Sequence, residues 1–386
     1  MKMMAARLYG KMDLRVEEAP VPDIADGELL LRVKAAAICG TDLRMYINGA
    51  AGVDEAHPLI CAHEFSGVIE EVGAGAGAGA GAGTCAGESA GTGADAGAGT
   101  GTGAGENTGT GASVGTGFTK GMRVSVAPNI GCGVCDRCAA GKSHHCLDLR
   151  ALGVNIDGGF AEFVKIPAEA VRLGNVVKLD PGVSFEAAAA NEALSCVYNA
   201  YERYGVEPGD TVVIIGAGAI GLMHAKLAKL SGAAKIIMSD LSADRLSLCT
   251  KIEPSLIAVG GDLKQAVDDE TSGRGAEVVI TACSSASAQR DAFGYAALDG
   301  RVNFFGGLPS GAEVVALNTN IIHYKQLHVT GTTRSSHAHY RKTMRMIKEG
   351  LFDLDGLITH RFALDKIDEA FDNTHKTIGL KQAIMF

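Results

Sequence analysis

The sequence predicts an α/β protein that joins a β-rich domain to a doubly wound parallel sheet. Near its start, short alternating apolar segments are broken by Pro20, Pro22 and Gly27, a pattern typical of strands and turns. After residue 184, six apolar strand candidates alternate with helical segments, as in a parallel sheet that carries helices on both faces. With 386 residues, the chain is long enough for two domains.

The composition argues against several kinds of partner. The 35 basic and 44 acidic side chains give a net charge of −9, and no basic run suggests binding to nucleic acid or to a membrane surface. We expect a cytoplasmic protein, because the sequence shows neither a signal-peptide pattern nor a long apolar run. In a reducing compartment, the ten cysteines are expected to be metal ligands or buried thiols.

The first domain is predicted to span residues 1–183. Strands expected near residues 28–35, 65–72, 123–127 and 160–166 indicate a small β-barrel-like fold with long loops. Residues 73–117 interrupt it with a run of Gly, Ala and Thr in which Val114 is the only large aliphatic residue. Such a segment buries too little apolar surface to offset its ordering entropy, so we predict a flexible surface insertion. A silk-like β-stack is the alternative that the Gly-Ala alternation allows.

The second domain is predicted to span residues 184–321, after which residues 322–386 return to the first domain. A helical period in this tail places Tyr340, Met344 and Ile347 on one face, and a strand-like segment follows. The pattern alone leaves the packing of the tail open. The six strand candidates of the parallel sheet are residues 211–215, 235–240, 256–259, 277–281, 301–305 and 327–330.

A glycine-rich turn at residues 216–221 predicts a dinucleotide-binding site. The sequence Gly-Ala-Gly-Ala-Ile-Gly follows a strand directly and opens a helix, which is the context that makes this motif specific. Gly216 permits the tight turn, Gly218 lets the backbone approach a pyrophosphate, and Gly221 lets helix and strand pack closely. Ile220 lies in the same turn and is a further candidate contact.

An acidic residue at the end of the next strand favours NAD over NADP. The carboxylate of Asp240 would accept hydrogen bonds from an adenosine ribose and would repel a 2′-phosphate. Arg245, five residues later, is a candidate contact for the adenosine end of the cofactor. An exposed helical arginine is the alternative for that position.

Four closely spaced cysteines predict a structural zinc site within a lobe at residues 131–147. Four thiolates close a tetrahedral shell and leave no position for a substrate, so such a site is structural and not catalytic. An iron–sulfur cluster uses similar ligands, but no proline follows the last cysteine and nothing else suggests electron transfer. His144 and His145 are alternative ligands beside that cysteine. The four thiols belong to Cys132, Cys135, Cys138 and Cys146.

Two short motifs and one later glutamate supply the side chains of a catalytic metal site. Cys39 lies in Cys-Gly-Thr-Asp, and His63 and Glu64 lie in Ala-His-Glu-Phe; Glu192 follows much later. Thiolate, imidazole and carboxylate are zinc ligands, but each residue alone is ambiguous, because cysteine and histidine often serve only as core residues.

The order of all these motifs resembles that of the zinc-dependent medium-chain dehydrogenases, in particular the sorbitol (L-iditol) and L-threonine dehydrogenases. The resemblance covers essentially the whole chain outside residues 73–117. It implies a GroES-like catalytic domain around a Rossmann domain, with the tail of the chain docked on the former. It also implies a catalytic Zn²⁺ held by Cys39 and His63, with Glu64 a ligand or adjacent switch and Glu192 a ligand or water-mediated partner.

Further roles follow from the same resemblance. Thr41 matches the hydroxyl that begins the family's proton relay. Gly306, Gly307 and Leu308 match the loop under the nicotinamide, and Arg334 matches a residue near cofactor and substrate.

Two departures from the family pattern matter. Ala62 stands where the family has glycine, a change that is tolerated if the backbone there does not require glycine. Arg44 stands where the sorbitol and threonine enzymes usually carry a histidine that passes the proton to solvent, and an arginine cannot relay a proton. Either Thr41 passes its proton through the cofactor ribose to water, or Arg44 binds an anionic group of the substrate; a merely solvent-facing arginine is the third alternative.

Together, the motifs and the resemblance predict a zinc-dependent oxidoreductase that transfers hydride between NAD and a secondary alcohol. The expected substrate is a polyol or sugar alcohol. L-threonine 3-dehydrogenase and phosphorylated-polyol dehydrogenase activities are the alternatives. A non-catalytic NAD-binding protein would be expected to have lost a metal ligand, whereas Cys39, His63 and Glu192 are all present. We expect two Zn²⁺ per chain and, from the resemblance, a homodimer or homotetramer.

Overall fold

The computed structural model describes residues 1–76 and 117–386. The predicted flexible insertion lies outside the described residues, apart from its ends at 73–76 and 117. No helix in the described ranges is long and apolar enough to cross a membrane.

The N-terminal part is built mainly from strands, as predicted. Three short helices interrupt it: α1 (Gly40–Asn48), α2 (Asp136–Ala139) and α3 (Ala168–Leu173). The strands are β1 (Lys2–Gly10), β2 (Asp13–Pro20), β3 (Leu29–Ala37), β4 (Leu59–Ile60), β5 (Glu64–Val72), β6 (Arg123–Val126), β7 (Asn129–Ile130), β8 (Arg150–Ala151), β9 (Phe163–Ile166) and β10 (Val176–Lys178).

The next part alternates strands and helices, because its apolar runs are buried on both sides of a parallel sheet. The strands are β11 (Thr211–Ile215), β12 (Lys235–Ser239), β13 (Ile257–Val259), β14 (Ala276–Thr281), β15 (Ala296–Phe304) and β16 (His328–Gly331). The helices are α4 (Phe185–Tyr204), α5 (Ala219–Leu230), α6 (Ala243–Ile252), α7 (Leu263–Thr271), α8 (Ala286–Tyr295) and α9 (Thr319–Lys325).

These six strands form one parallel sheet in the order β13-β12-β11-β14-β15-β16, the arrangement of a Rossmann fold. The α/β fold class with its doubly wound sheet is therefore confirmed. Most predicted strands end within one residue of the observed ends, but β15 begins five residues earlier than expected. The sheet also extends past residue 321, since β16 is its last strand; the domain boundaries themselves stay predictions.

The C-terminal segment completes the N-terminal sheet. It contains α10 (His337–Lys348), β17 (Ile358–Ala363), α11 (Ile367–His375) and β18 (Lys381–Met385), with short 3₁₀ turns at Asp355–Leu357 and Leu364–Lys366. The strand β18 pairs antiparallel with β3 and parallel with β17, within the order β10-β6-β5-β3-β18-β17. A separate sheet has the order β2-β1-β4, and β7 pairs with β8.

The long helix α4 joins the two parts of the molecule. Ser184 caps its N-terminus by accepting a hydrogen bond from the Ala187 N–H at 3.0 Å. The helix packs against β3 and β5 on the N-terminal side and against α5 and α10 on the other. Its alanine run is fully buried and permits this close approach. A side chain on α4 can therefore face the space between the two sheets.

Candidate active site

The first ligand candidate, Cys39, caps the N-terminus of α1 just after β3. The backbone of Cys39 is extended, and its N–H donates to Asp42 Oδ2 at 2.8 Å. The other oxygen of Asp42 accepts from the Ala62 N–H at 3.2 Å. Through these two hydrogen bonds, the fully buried carboxylate of Asp42 links the start of α1 to the segment that carries the next ligand candidates.

The second and third candidates, His63 and Glu64, follow a strained residue. Ala62 has φ of +73°, in the left-handed region that favours glycine. We expected alanine to be tolerated here if the backbone did not need a glycine conformation, and the backbone does adopt one. The left-handed conformation costs an alanine about 1–2 kcal/mol. It turns the chain so that His63 Nδ1 lies 3.6 Å from Asp42 Oδ1.

Glu64 is paired with a lysine from the far end of the chain. Lys381 Nζ donates to Glu64 Oε1 at 2.6 Å, and both side chains are buried. Although burial opposes its charge, the carboxylate of Glu64 and the Cys39 thiol raise the pKa of Lys381. The lysine therefore stays charged and holds one oxygen of Glu64 in place.

The ligand atoms of Cys39, His63 and Glu64 all lie within 4.8 Å of one another. Two buried polar atoms of this group, His63 Nδ1 and Glu64 Oε2, have no hydrogen-bond partner among the described residues. Burial opposes protonation of His63, but the Cys39 thiol and the Asp42 carboxylate raise its pKa. A compact set of sulfur, nitrogen and oxygen donors with unsatisfied atoms fits a zinc ion.

Glu192 lies outside that compact group of ligand atoms. It is buried on α4, and the Cys196 thiol donates to its Oε1 at 3.5 Å. Burial raises the pKa of Glu192, while His63 and Lys381 lower it and Glu64 raises it further. The charge of Glu192 is thus coupled to those of His63 and Glu64, but its carboxylate is not part of the compact ligand group.

Thr41 and Arg44 are in direct contact on α1. Arg44 Nη2 donates to Thr41 Oγ1 at 2.9 Å, and the arginine side chain is otherwise exposed. The structure therefore places Arg44 at the hydroxyl of Thr41. Because a guanidinium has no acceptor atom, it cannot receive a proton from that hydroxyl.

The four cysteines of the lobe form a second compact group. The sulfur atoms of Cys132, Cys135, Cys138 and Cys146 lie within 4.8 Å of one another. A Cβ atom at Gly131 would lie 2.6 Å from Cys138 Sγ, so the close packing of the lobe requires glycine there. Backbone N–H groups of Val134 and Cys135 lower the pKa of Cys132 to about 6, which favours the thiolate that zinc binds. His144 and His145 are not in this group.

The glycine-rich turn has the geometry that the sequence predicts. Gly216 has φ of +119°, and a Cβ atom at Gly221 would lie 1.9 Å from the Gly216 carbonyl oxygen. Asp240 Oδ2 accepts from the Ala217 N–H at 2.6 Å, so the carboxylate lies directly at the turn. The Arg245 guanidinium lies near Gly218, where it donates to the Thr377 carbonyl at 3.0 Å. Ile220 is in the first turn of α5.

The remaining candidates lie on two loops beyond β15 and β16. A Cβ atom at Gly306 would lie 2.2 Å from the Cys283 carbonyl oxygen, so that close approach requires glycine. Gly307 and Leu308 follow in the same loop. Arg334 has φ of +58° and is exposed, and its carbonyl accepts from Asn199 Nδ2 at 2.8 Å.

Sequence reasoning missed Asp42, Lys381 and Cys196. Asp42 belongs to the Cys-Gly-Thr-Asp motif, but nothing in the motif shows that its carboxylate bridges the backbone N–H groups of Cys39 and Ala62. Lys381 begins an otherwise uncharged strand, and a lone lysine in a strand of that kind was the available signal. Cys196 lies one helical turn after Glu192, where an i, i+4 contact is expected.

Two family models match this chain. The model described as "Zinc-binding dehydrogenase" matches residues 219–349, and the model described as "Alcohol dehydrogenase GroES-like domain" matches residues 25–110 and 98–181. The first match covers most of the parallel sheet, and the second covers both the predicted catalytic motifs and the four-cysteine lobe.

Curated relatives and a solved structure match over nearly the whole chain. Sorbitol dehydrogenase of Bacillus subtilis is 29% identical over 375 residues, which is 96% of this chain and 93% of the relative. L-threonine 3-dehydrogenase of Bacillus velezensis is 30% identical over 366 residues, 94% of this chain and 92% of the relative. A Sinorhizobium meliloti structure bound to NADP and described as a zinc-binding dehydrogenase is 26% identical, with a TM-score of 0.81 over all of both chains.

Proposed function

Since the chain belongs to the zinc-dependent medium-chain alcohol dehydrogenase family, we propose that it is an NAD-dependent dehydrogenase of secondary alcohols, with a polyol or sugar alcohol as substrate. The observation that carries this proposal is the convergence of Cys39, His63 and Glu64 in one compact group, in which His63 and Glu64 are buried. The similarity to sorbitol dehydrogenase supports a polyol. The substrates are thus an alcohol and the corresponding ketone.

The donor set indicates which residues would hold two zinc ions. Cys39 and His63 would hold the catalytic ion, with Glu64 and Glu192 as the carboxylate candidates, and the four cysteines of the lobe would hold the structural ion. When bound, the catalytic zinc acidifies an alcohol and polarises a ketone, and the nicotinamide exchanges the hydride. Both roles stay proposals that a metal analysis can test.

The protein's own residues orient and tune this site. The Asp42 carboxylate lies 3.6 Å from His63 Nδ1 and favours one orientation of the imidazole ring, as carboxylates commonly do for histidine ligands. Lys381 holds Glu64 Oε1 and leaves Oε2 free to act as ligand or switch. Glu192, buried with a raised pKa, is poised to change its protonation state or to enter the metal shell.

Thr41 is the proposed proton acceptor of the substrate hydroxyl. Its oxygen accepts from Arg44 and keeps a second lone pair for the substrate, so its own proton must leave toward another acceptor. Since Arg44 cannot take that proton, the cofactor ribose or water must do so. The charge of Arg44 also favours a negatively charged oxygen near Thr41.

The cofactor is proposed to be NAD, bound across the glycine-rich turn with the help of Ile220. Asp240 at the turn supports NAD, and Arg245 near Gly218 is positioned for the adenosine end. Gly307, Leu308 and Arg334 are proposed to complete the nicotinamide side. The NADP bound in the Sinorhizobium meliloti relative makes a direct comparison of both cofactors necessary.

L-threonine 3-dehydrogenase activity is the second candidate, and the 30% identical relative favours it. Arg44 would then face the carboxylate of the substrate, or the phosphate of a phosphorylated polyol. The missing relay histidine at that position does not separate the two candidates, because the sorbitol enzymes usually carry it as well.

A homodimer or homotetramer is proposed as the assembly. The edge strand β16 is exposed, and Leu298 on the neighbouring strand β15 and Tyr324 on α9 are 75% and 77% exposed. An open strand edge with apolar neighbours is suited to pairing with a second copy. Light scattering after gel filtration measures the mass directly. A cytoplasmic location is proposed because the five cysteines of the two candidate metal sites would have to stay reduced to act as ligands.

A single assay separates the substrate candidates. NADH formation at 340 nm would be compared for sorbitol, xylitol, L-threonine, 2,3-butanediol and sugar-alcohol phosphates, with NADP run beside NAD. We expect turnover of neutral polyols with NAD and two zinc ions per chain. One zinc per chain, kept only in the four-cysteine lobe, together with no turnover of any alcohol, would contradict the proposal.

A further inference from the structure

Three successive carbonyl groups of the loop between β16 and α10 are held by buried side chains. The Asn199 amide on α4 donates to the Thr333 carbonyl at 3.3 Å and to the Arg334 carbonyl at 2.8 Å. The Asn129 amide on β7 donates to the next carbonyl, that of Ser335, at 3.1 Å. Both asparagine side chains are buried, so the loop is fixed from inside the molecule.

The contacts of Asn199 determine the backbone conformation of Arg334. The φ and ψ angles of a residue describe how the two planar peptide groups on either side of it are oriented. The Thr333 carbonyl belongs to the peptide group before Arg334, and the Arg334 carbonyl belongs to the peptide group after it. The single amide of Asn199 therefore binds both peptide groups and restricts both angles.

The conformation held in this way is one that arginine rarely adopts. Arg334 has φ of +58°, in the left-handed region that is costly for a residue with a Cβ atom. Such strain persists only where the surrounding structure enforces it, and strained residues cluster at ligand-binding sites. Without Asn199, the left-handed conformer should fall to roughly a tenth of the population.

A pair of hydroxyl groups links the same loop to the proposed active site. Ser195 Oγ donates to the Glu192 carbonyl at 2.6 Å and lies 2.6 Å from Ser335 Oγ. Because a hydroxyl carries one proton, Ser335 is the donor of the second bond. Glu192, Ser195 and Asn199 follow one another at helical spacing, so they share one face of α4. That face carries both a carboxylate candidate for the metal site and the supports of the loop.

The loop lies at the edge of the parallel sheet where a dinucleotide would bind. It follows β16 directly, and the Thr332 N–H donates to the carbonyl of Phe304, the last residue of β15, at 3.4 Å. Dinucleotides bind in the crevice at the carboxyl ends of such strands. Because Phe304 pairs with Gly331, this loop and the loop of Gly307 and Leu308 begin side by side.

We propose that Asn199 is a positioning residue of the cofactor site, which keeps Arg334 in its left-handed conformation and so fixes the guanidinium beside the nicotinamide. This role rests on the proposed function, because Arg334 receives its cofactor contact there. Asn199 is buried and its amide is engaged by the loop, so it acts through Arg334 and not by touching a ligand.

Binding of NADH to the zinc-loaded, full-length protein, followed by NADH fluorescence, tests this role. For Asn199→Ala we expect an affinity about tenfold weaker, since the apparent Kd rises as the fraction of the binding-competent conformer falls. Asn199→Ser retains one donor and is a milder second variant, whose affinity should shift in the same direction. Unchanged NADH affinity in both variants would overturn the proposal.

Asn175→Ala is the matched control. Asn175 is 1% exposed, against 3% for Asn199, and its amide also donates to two carbonyls, those of Ala127 and Asn129, at 2.8 and 2.9 Å. Both substitutions remove the same buried group, but only Asn199 binds the peptide groups next to Arg334. Equal weakening of NADH binding by the two variants would overturn the proposal, because the loss of any buried amide would then suffice.

A double-mutant cycle with Arg334→Ala identifies the route of the effect. If Asn199 acts through the guanidinium, adding Asn199→Ala to the Arg334→Ala protein should change the NADH affinity by less than about twofold. An equally large loss in both backgrounds would overturn the proposal, because Asn199 would then act on the cofactor by another route.

Trypsin separates failure of this inference from failure of the proposed function. Arg334 is exposed, and the peptide bond that trypsin cuts after it contains the carbonyl held by Asn199. Cleavage there, quantified by mass spectrometry on the folded protein, should be faster in Asn199→Ala than in the wild type and in Asn175→Ala.

Unchanged cleavage after Arg334 in Asn199→Ala would overturn the inference even if the protein binds NADH. A wild-type protein that binds no NADH would instead contradict the proposed cofactor, and the rate of cleavage would still decide whether Asn199 holds Arg334.

Discussion

Lys381 donates a 2.6 Å hydrogen bond to Glu64 across a separation of 317 residues, and both side chains are buried. The contact joins the last strand of the N-terminal sheet to the proposed catalytic metal site. It also gives Glu64 two distinct oxygens, one paired with the lysine and one without a partner among the described residues.

Replacing Lys381 with methionine should lower the free energy of unfolding by about 3 kcal/mol, because it leaves the Glu64 carboxylate buried without its cation. The double variant with Glu64→Gln should recover more than half of that loss. Urea unfolding of zinc-loaded protein measures both. Lys376→Met, which breaks an exposed pair with Asp372, is the control and should cost less than about 1 kcal/mol. A double variant no more stable than Lys381→Met would show that the pair is not the cause.

Ala62→Gly should stabilise the protein by up to about 1 kcal/mol. Glycine removes the cost of the +73° φ, and part of this gain is offset by the greater freedom of glycine in the unfolded chain. The control Ala36→Gly, at a buried strand position with ordinary φ, should instead destabilise. Thermal unfolding of both variants beside the wild type decides the sign. A destabilised Ala62→Gly would mean that the methyl group contributes more than its conformation costs.

Cys146→Ser should reduce the zinc content from two ions to one per chain. Three thiolates bind zinc more weakly than four, and the lobe depends on its metal for folding energy. Elemental analysis gives the count, and limited proteolysis should show new cleavage between residues 131 and 147. Cys249→Ser, at a buried thiol outside both ligand groups, should keep two ions. Two ions in the Cys146→Ser protein would remove the lobe as a zinc site.

His224 should make the protein less stable in mild acid. Burial lowers its pKa in the folded state to about 3, against about 6.5 in the unfolded chain. As the pH falls below 6.5, the unfolded state takes up a proton that the folded state does not, so stability is lost until the pH reaches about 3. Between pH 6.5 and 5, this one side chain should account for about 2 kcal/mol.

The variant His224→Gln isolates this effect. Glutamine does not titrate, and its amide can still meet the Tyr204 hydroxyl that now lies 3.0 Å from His224 Nδ1. Urea unfolding at pH 7 and pH 5 should show a smaller difference for the variant than for the wild type. Equal differences would mean that other groups dominate the acid response.

The parallel sheet was predictable because each strand is a local apolar run. The start of β15 is predicted too far along the chain, also for a local reason. Leu298, Asp299 and Gly300 resemble a turn, and Asp299 does adopt φ of +59° within the strand. The candidate catalytic residues were identified from short motifs whose order along the chain is specific. The residues that support them could not be identified in this way, because the pairing of Lys381 with Glu64 joins distant segments that no local pattern connects.

The late position of β18 has a consequence for biosynthesis. During translation, Glu64 emerges 317 residues before its lysine, a delay on the order of half a minute at typical elongation rates. Throughout that interval, β3 lacks its neighbour β18, and the carboxylate lacks its counter-ion. The nascent N-terminal sheet therefore stays incomplete until β18 has been synthesised, and until then the proposed metal site lacks the cation that pairs with Glu64.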